Sequence, residues 1–510
     1  MKRIQKAAVI AGLGFAMGIG LFAGLRAIGQ DMRLPGAVDQ PPAHLLEKPE
    51  APFDIKGFFQ DPAPGRNAES AVLRALTEFG GESANYLPAS PDRDRRIQEQ
   101  RDRDQRFVAF FERWGKDRDS VTVQEMESIA REYADGFRML VEAQRRPECV
   151  FHTGINIYSL IPHAQTARMV ARIVDIRADL ALRRGDVKSA LDDAAVALRM
   201  SRDLQTRGFL ISQLVSAAID SVILNDVIKP VLESSKLTVA DCDRAIAMLN
   251  EHKTFSARRI DQGMKAEYLM NRQFLWSAIR DQDGLRKAMS IEKDKSILTV
   301  MNKLAGNEAS GSLGLANENE ALAMEKKLAA MSDDEFRQAI MHINQAYQPI
   351  FDKANRPYSE QIAAIAKLVE TPPAPTLVNG DVQTLLRNLS LIVMPSVGQF
   401  LASENRAQAG VSAYIALAAL KRWNLAHPRN GAPAPDLATA CKAAKLDQAP
   451  VDPFDGKPIR MIKPTGNEGS YGVYSIGKDG RDDQGKVDSE ADRKPGDLIY
   501  RIDGKPMKSK

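Results

Sequence analysis

Cysteine is nearly absent from this chain, three in 510 residues. That excludes a small scaffold built on disulfides. Cys149 and Cys242 can still pair in an oxidising compartment, or all three thiols can be small buried residues. Histidine is as scarce, six scattered positions, which leaves no His-rich metal site. His152 and His163 flank a short apolar stretch with no carboxylate or cysteine at ligand spacing, so both read as structural or exposed. Charge of one sign is missing too: 70 basic against 66 acidic residues give +4, and nothing global points to nucleic acid. The sequence holds no His-Glu-x-x-His, no Walker loop and no Gly-x-Ser-x-Gly. No catalytic residue and no organic cofactor is therefore assigned. What is present is an ordinary globular composition, 44% hydrophobic and 27% charged, long enough for several domains.

The one long apolar run is Ala7 to Leu25, preceded by Lys2, Arg3 and Lys6. Nineteen helical residues reach about 28 Å, enough to cross a hydrocarbon core. The run is long for a cleaved signal, although Ala27-Ile28-Gly29 offers a small-residue cleavage site. We expect a single-pass inner-membrane anchor over 1–29, N-terminus cytoplasmic and bulk extracytoplasmic. Gly14-x-x-x-Gly18 and Gly20-x-x-x-Gly24 would let two such helices pack closely, which allows a homodimer through the span.

Residues 30–65 carry seven prolines and read as an extended spacer. From 66 to 370 apolar residues recur at three- and four-residue spacing, predicting an α-helical domain. Expected helices include 164–184, 187–205, 208–232, 238–252, 256–287, 318–331, 333–352 and 357–370, with Thr238 or Asp241 and Ser332 or Asp333 as caps. Phe107, Phe110, Phe111 and Trp114 read as a buried stripe. Gly185 to Leu191, followed by Ala194, Ala197 and Leu198 on one face, resembles the turn and second helix of a tetratricopeptide repeat. No second copy lies in register. The domain is either an irregular, repeat-like bundle or solenoid, or a plain bundle with one alanine-rich hairpin.

Thr371-Pro372-Pro373-Ala374-Pro375 marks a linker over 371–379. Beyond it the pattern gives a helix over 398–426, a turn at Asp452-Pro453-Phe454-Asp455-Gly456-Lys457-Pro458, and strands near 459–462, 471–476 and 498–502. That order, with Tyr471 to Gly480, resembles the globular domain of the major pseudopilin of type II secretion systems. The resemblance implies a small α+β module with a three-stranded antiparallel sheet over 380–510. It also implies a calcium-binding acidic loop, with Asp479, Asp482, Asp483 and Asp488 as metal ligands. The chain lacks the family's N-terminal processing signal, and as a whole resembles bacterial membrane-anchored proteins with a helical body and a pseudopilin-like tail.

The fold class expected is mainly α: a transmembrane helix, a helical body, then a small α+β module. The function expected is that of a non-catalytic envelope scaffold binding protein partners through the body. The alternatives are an accessory docking component of a secretion or pilus-like system, and an envelope hydrolase with an unrecognised site.

Overall fold

The computed structural model describes residues 51–80, 92–152, 161–257, 259–289, 291–292, 295–304, 317–369, 394–427, 434–462, 471–485 and 496–502. The expected span at 7–25 with its glycine pairs, the linker at 371–379 and Asp488 lie outside these residues. The described chain is mostly helical, with one small antiparallel sheet. Its first helices are α1 (Ile55–Phe58), α2 (Glu69–Phe79), α3 (Arg93–Lys116), α4 (Val123–Glu132), α5 (Ala134–Ala143), α6 (Pro162–Arg183), α7 (Val187–Gln205), α8 (Leu210–Glu233) and α9 (Val239–Ser256). There follow α10 (Arg259–Arg280), α11 (Gln282–Ala288), α12 (Ile297–Leu304), α13 (Glu318–Ala329), α14 (Asp333–Lys353), α15 (Tyr358–Val369), α16 (Met394–Ala426) and α17 (Leu437–Ala443). Strands β1 (Arg460–Ile462), β2 (Tyr471–Ser475) and β3 (Leu498–Ile502) pair antiparallel in that order, with Met461 opposite Val473 and Val473 opposite Tyr500.

Local chemistry sets the helix ends. Gly185 turns at φ +75°, a conformation that costs a side chain, and Asp186 then caps α7 by accepting from the Ser189 N–H at 3.0 Å. Ala190, Ala194, Ala197 and Leu198 are buried where α7 packs on α6 and α8. Thr238 and Ser332 each close a capping box, with Asp241 and Glu335. The helix expected over 256–287 is two helices, because Asp281 stops α10 and caps α11 through the Gly284 N–H. Within α8, Ile223–Ile228 is a π-turn. Pro230 has no N–H to offer the Asp226 carbonyl, and a widened turn relieves that lost bond.

Two hydrophobic cores organise the molecule. One gathers α2 to α9, the second half of α16, and Val473 and Ile502 of the sheet. The other gathers α10 to α15 with Ile55, Val397, Phe400, Leu401, Phe454 and Ile476. Helix α16 therefore enters both cores. Its segment Val411 to Leu420 is apolar on nearly every side and fully buried, as a helix surrounded by protein must be. Among the described residues, α8 is the one helix long and apolar enough to cross a membrane. Here it is a core helix: it packs on α6, α7 and α16, and it buries Gln213, Ser216 and Asp220.

Residues 53–65 are expected as the last part of the extended spacer, with Arg66 opening the helical domain. These residues lie on the body. Phe53 meets Tyr268 and Phe351 edge-on, both at 5.4 Å, and Ile55 is buried in the second core. Pro62 and Pro64 there follow Phe53, Ile55, Phe58 and Phe59, whose packing on the second core outweighs the extended preference of proline.

Candidate functional site

An open cleft of about 440 Å³ separates this strap from the body. Gly57, Gln60, Asp61 and Arg66 line one side; Glu148, Val150, Thr206, Arg207 and Gln262 line the other. The strap's far end is stitched down by main chain and by Asn67. The Ala68 N–H donates to the Glu148 carbonyl at 2.8 Å, while Asn67 bonds both polar groups of Val150. That pairing brings Glu69 beneath His152, whose main-chain N–H donates to Glu69 Oε1 at 2.6 Å.

The His152 ring sits between two carboxylates. Its Nδ1 meets Glu69 Oε2, and its Nε2 lies 3.0 Å from Asp61 Oδ1. Burial pushes the imidazole pKa down, but the hydrogen bonds and charges of Glu69 and Asp61 outweigh it and hold His152 above its usual value. Burial alone would raise Asp61; His152 and Arg207 hold it below the usual carboxylate range. Arg207 reaches the strap from the α7–α8 turn, pairing with Asp61 at 3.1 Å and donating to the Gln60 carbonyl. The partners of His152 lie 83 and 91 residues upstream, so no local spacing announces them. His163 is fully buried, stacks on Phe151 at 4.3 Å, and is pushed down to about 4 by burial.

A second constellation is closed. Arg259, fully buried, donates to Asp220 Oδ2 and lies 2.9 Å from Glu404 Oε2. Asp220 also accepts from Ser201 at 2.6 Å and faces His252 Nε2 at 3.1 Å. Burial raises the carboxyl of Glu404 to about 7, with the Asp220 charge beside it and Arg259 only partly compensating. These side chains join α7, α8, α9, α10 and α16, and their burial makes them a joint between helices.

The third lies at the sheet. Asp452, fully buried, accepts from the Phe454 N–H (3.0 Å), Ser475 Oγ (2.8 Å), the Ile476 N–H (3.0 Å) and Arg460 (3.1 Å). This carboxylate pins the Asp-Pro turn to β1 and the end of β2. Of the four expected calcium ligands, the structure describes three and does not gather them. Asp479 accepts from the Arg481 N–H at 3.2 Å. Asp482 is committed to Arg460, the Tyr474 hydroxyl and the Gln484 N–H. Asp497, missed by the sequence reading, is raised chiefly by burial and also by Asp482 and Asp483, and its Oδ1 is buried without a hydrogen bond. Among the described residues no three His, Cys, Asp or Glu side chains stand at metal-binding spacing. Cys149, Cys242 and Cys441 are buried, free thiols. No protein-family model, curated protein or solved structure matches the chain.

Proposed function

We propose that the chain is a membrane-anchored envelope scaffold, without catalytic activity, that presents its helical body to protein partners outside the inner membrane. The observation that carries this reading is the apolar run Ala7 to Leu25 behind Lys2, Arg3 and Lys6. The chain leaves its N-terminal apolar run, passes the proline-rich spacer and is then fastened to the body through Phe53, Ile55, Asp61 and Asn67. The body it is fastened to has two cores linked by α16. The Arg259 and Asp452 clusters are buried and tie elements of the fold together, which suits a supporting role better than turnover.

Photocrosslinking in native membranes tests the reading. The full chain would carry a photoreactive residue in place of one exposed apolar side chain at a time: Val108, Val141, Phe255 or Met341. The expected result is adducts with the same envelope proteins from body positions. Adducts with secretion or pilus subunits from Lys478 or Asp479 instead would make the tail the docking element. Reproducible turnover by the purified chain, abolished by one point mutation, would overturn the non-catalytic reading.

A further inference from the structure

We propose that the strap over residues 53–66 is a pH-gated latch, in which the His152 imidazolium clamps Asp61 of the strap to Glu69 of the body and so fastens the strap across the cleft. The geometry requires the charged ring. Both ring nitrogens face carboxylate oxygens, and a neutral imidazole has one N–H, so it would turn a lone pair toward one of them. The two ends of the strap are held independently of pH, by Phe53 and Ile55 in the second core and by the main-chain pairing of 67–68 with 148–150. Between them, Gln60 to Ala63 reach the body through Asp61 and the Gln60 carbonyl. Arg207 is the standing half of the clamp. Its φ of +55° is a strained conformation for a side-chain-bearing residue, and the guanidinium it supports ends on the strap.

The charged groups facing His152 are Asp61 from the strap and Glu69 from α2; Arg207 faces Asp61 from the opposite wall, and the Arg66–Glu148 pair closes the cleft's edge. His152 lies above its ordinary 6.5, so its share of the clamp is complete below that pH and is lost as pH rises through the higher folded value. Asp61 lies below its ordinary 3.8, so its share is present above that pH and is lost only as pH falls through the lower folded value. The latch is closed across mildly acidic pH, between the two ordinary values, and loosens as pH rises through the raised value of His152. The latch does not depend on the membrane-anchored reading.

Hydrogen–deuterium exchange of the full chain, corrected for intrinsic rates, reads the strap amides against α16 as an internal reference. From pH 6 to pH 9 we expect the Gln60, Asp61 and Ala63 amides to exchange about two- to fivefold faster relative to the reference, the range for one partly exposed ion pair. His152→Gln should loosen the strap at pH 6 and erase the pH step. Arg207→Gln should loosen it at every pH and keep the step. A strap equally protected across that range in the unmodified chain overturns the proposal, and so does a step that survives in His152→Gln. The unmodified titration decides the matter even where a variant does not fold. Failure of the membrane reading would show as loss of the chain from membranes, with the pH step intact.

Discussion

Glu267 shows how much one buried group can govern. It is nearly inaccessible, and burial pushes its carboxyl up to about 7 against a single stabilising bond from the Leu210 main chain. A raised acid favours the fold while protonated. Its contribution is complete below the ordinary 4.5 and is lost as pH climbs through about 7. Glu267→Gln should therefore flatten the fall in stability between those values, and raise stability at pH 8 by about 2 kcal/mol, as denaturant midpoints would show. Burial raises the Asp452 carboxyl as well, but this one is held by four donors. Asp452→Ala would leave the Phe454 and Ile476 N–H groups unpaired in the interior, while Arg460 keeps Asp455 and Asp482, and should cost about 1–3 kcal/mol in urea unfolding. The sequence marked Asp452 as a turn residue. Its four donors, spread from Phe454 to Ile476, are a property of the folded sheet and leave no spacing to read. The same holds for His152, whose carboxylates arrive from a distant helix and a strap.

Elements were far more legible than sites. Helices announce themselves within a few residues: Thr238 and Ser332 stood out because a capping box needs only four positions. Ser332→Ala should lower stability by about 1 kcal/mol, read from the thermal or urea midpoint. Gly185→Ala should cost a further 1–2 kcal/mol or so by the same assay, because φ +75° places a Cβ against the following carbonyl. The three strands were legible from alternation and turn residues. The break at Asp281 was not, since Asp-Gln-Asp-Gly looks polar and helical until Asp281 turns back onto the Gly284 N–H. The π-turn beside Pro230 was equally hidden: proline predicts a disturbed helix and does not say whether the chain kinks or widens.

At the scale of the whole molecule, α16 is the decisive element. Its first half completes the core of α10 to α15, its second half completes the core of α2 to α9, and Tyr414 meets Tyr500 of the sheet at 5.9 Å. A chain ending at Val378 would expose both cores. It should be recovered as aggregate where the full chain is soluble in detergent, measured by the fraction remaining in the supernatant. The apolar periodicity predicted α16 itself. Which neighbours would surround it could not be read, because burial on all sides gives no amphipathic stripe to point the way. The membrane reading rests on a different segment, Ala7 to Leu25 behind its basic residues. Carbonate extraction combined with protease protection in sealed inner-membrane vesicles tests it most directly, using a full chain tagged at both ends. The account predicts a chain that resists carbonate, with the N-terminal tag on the cytoplasmic face and the body on the other. A chain that washes off with carbonate, or a body on the cytoplasmic face, would contradict it.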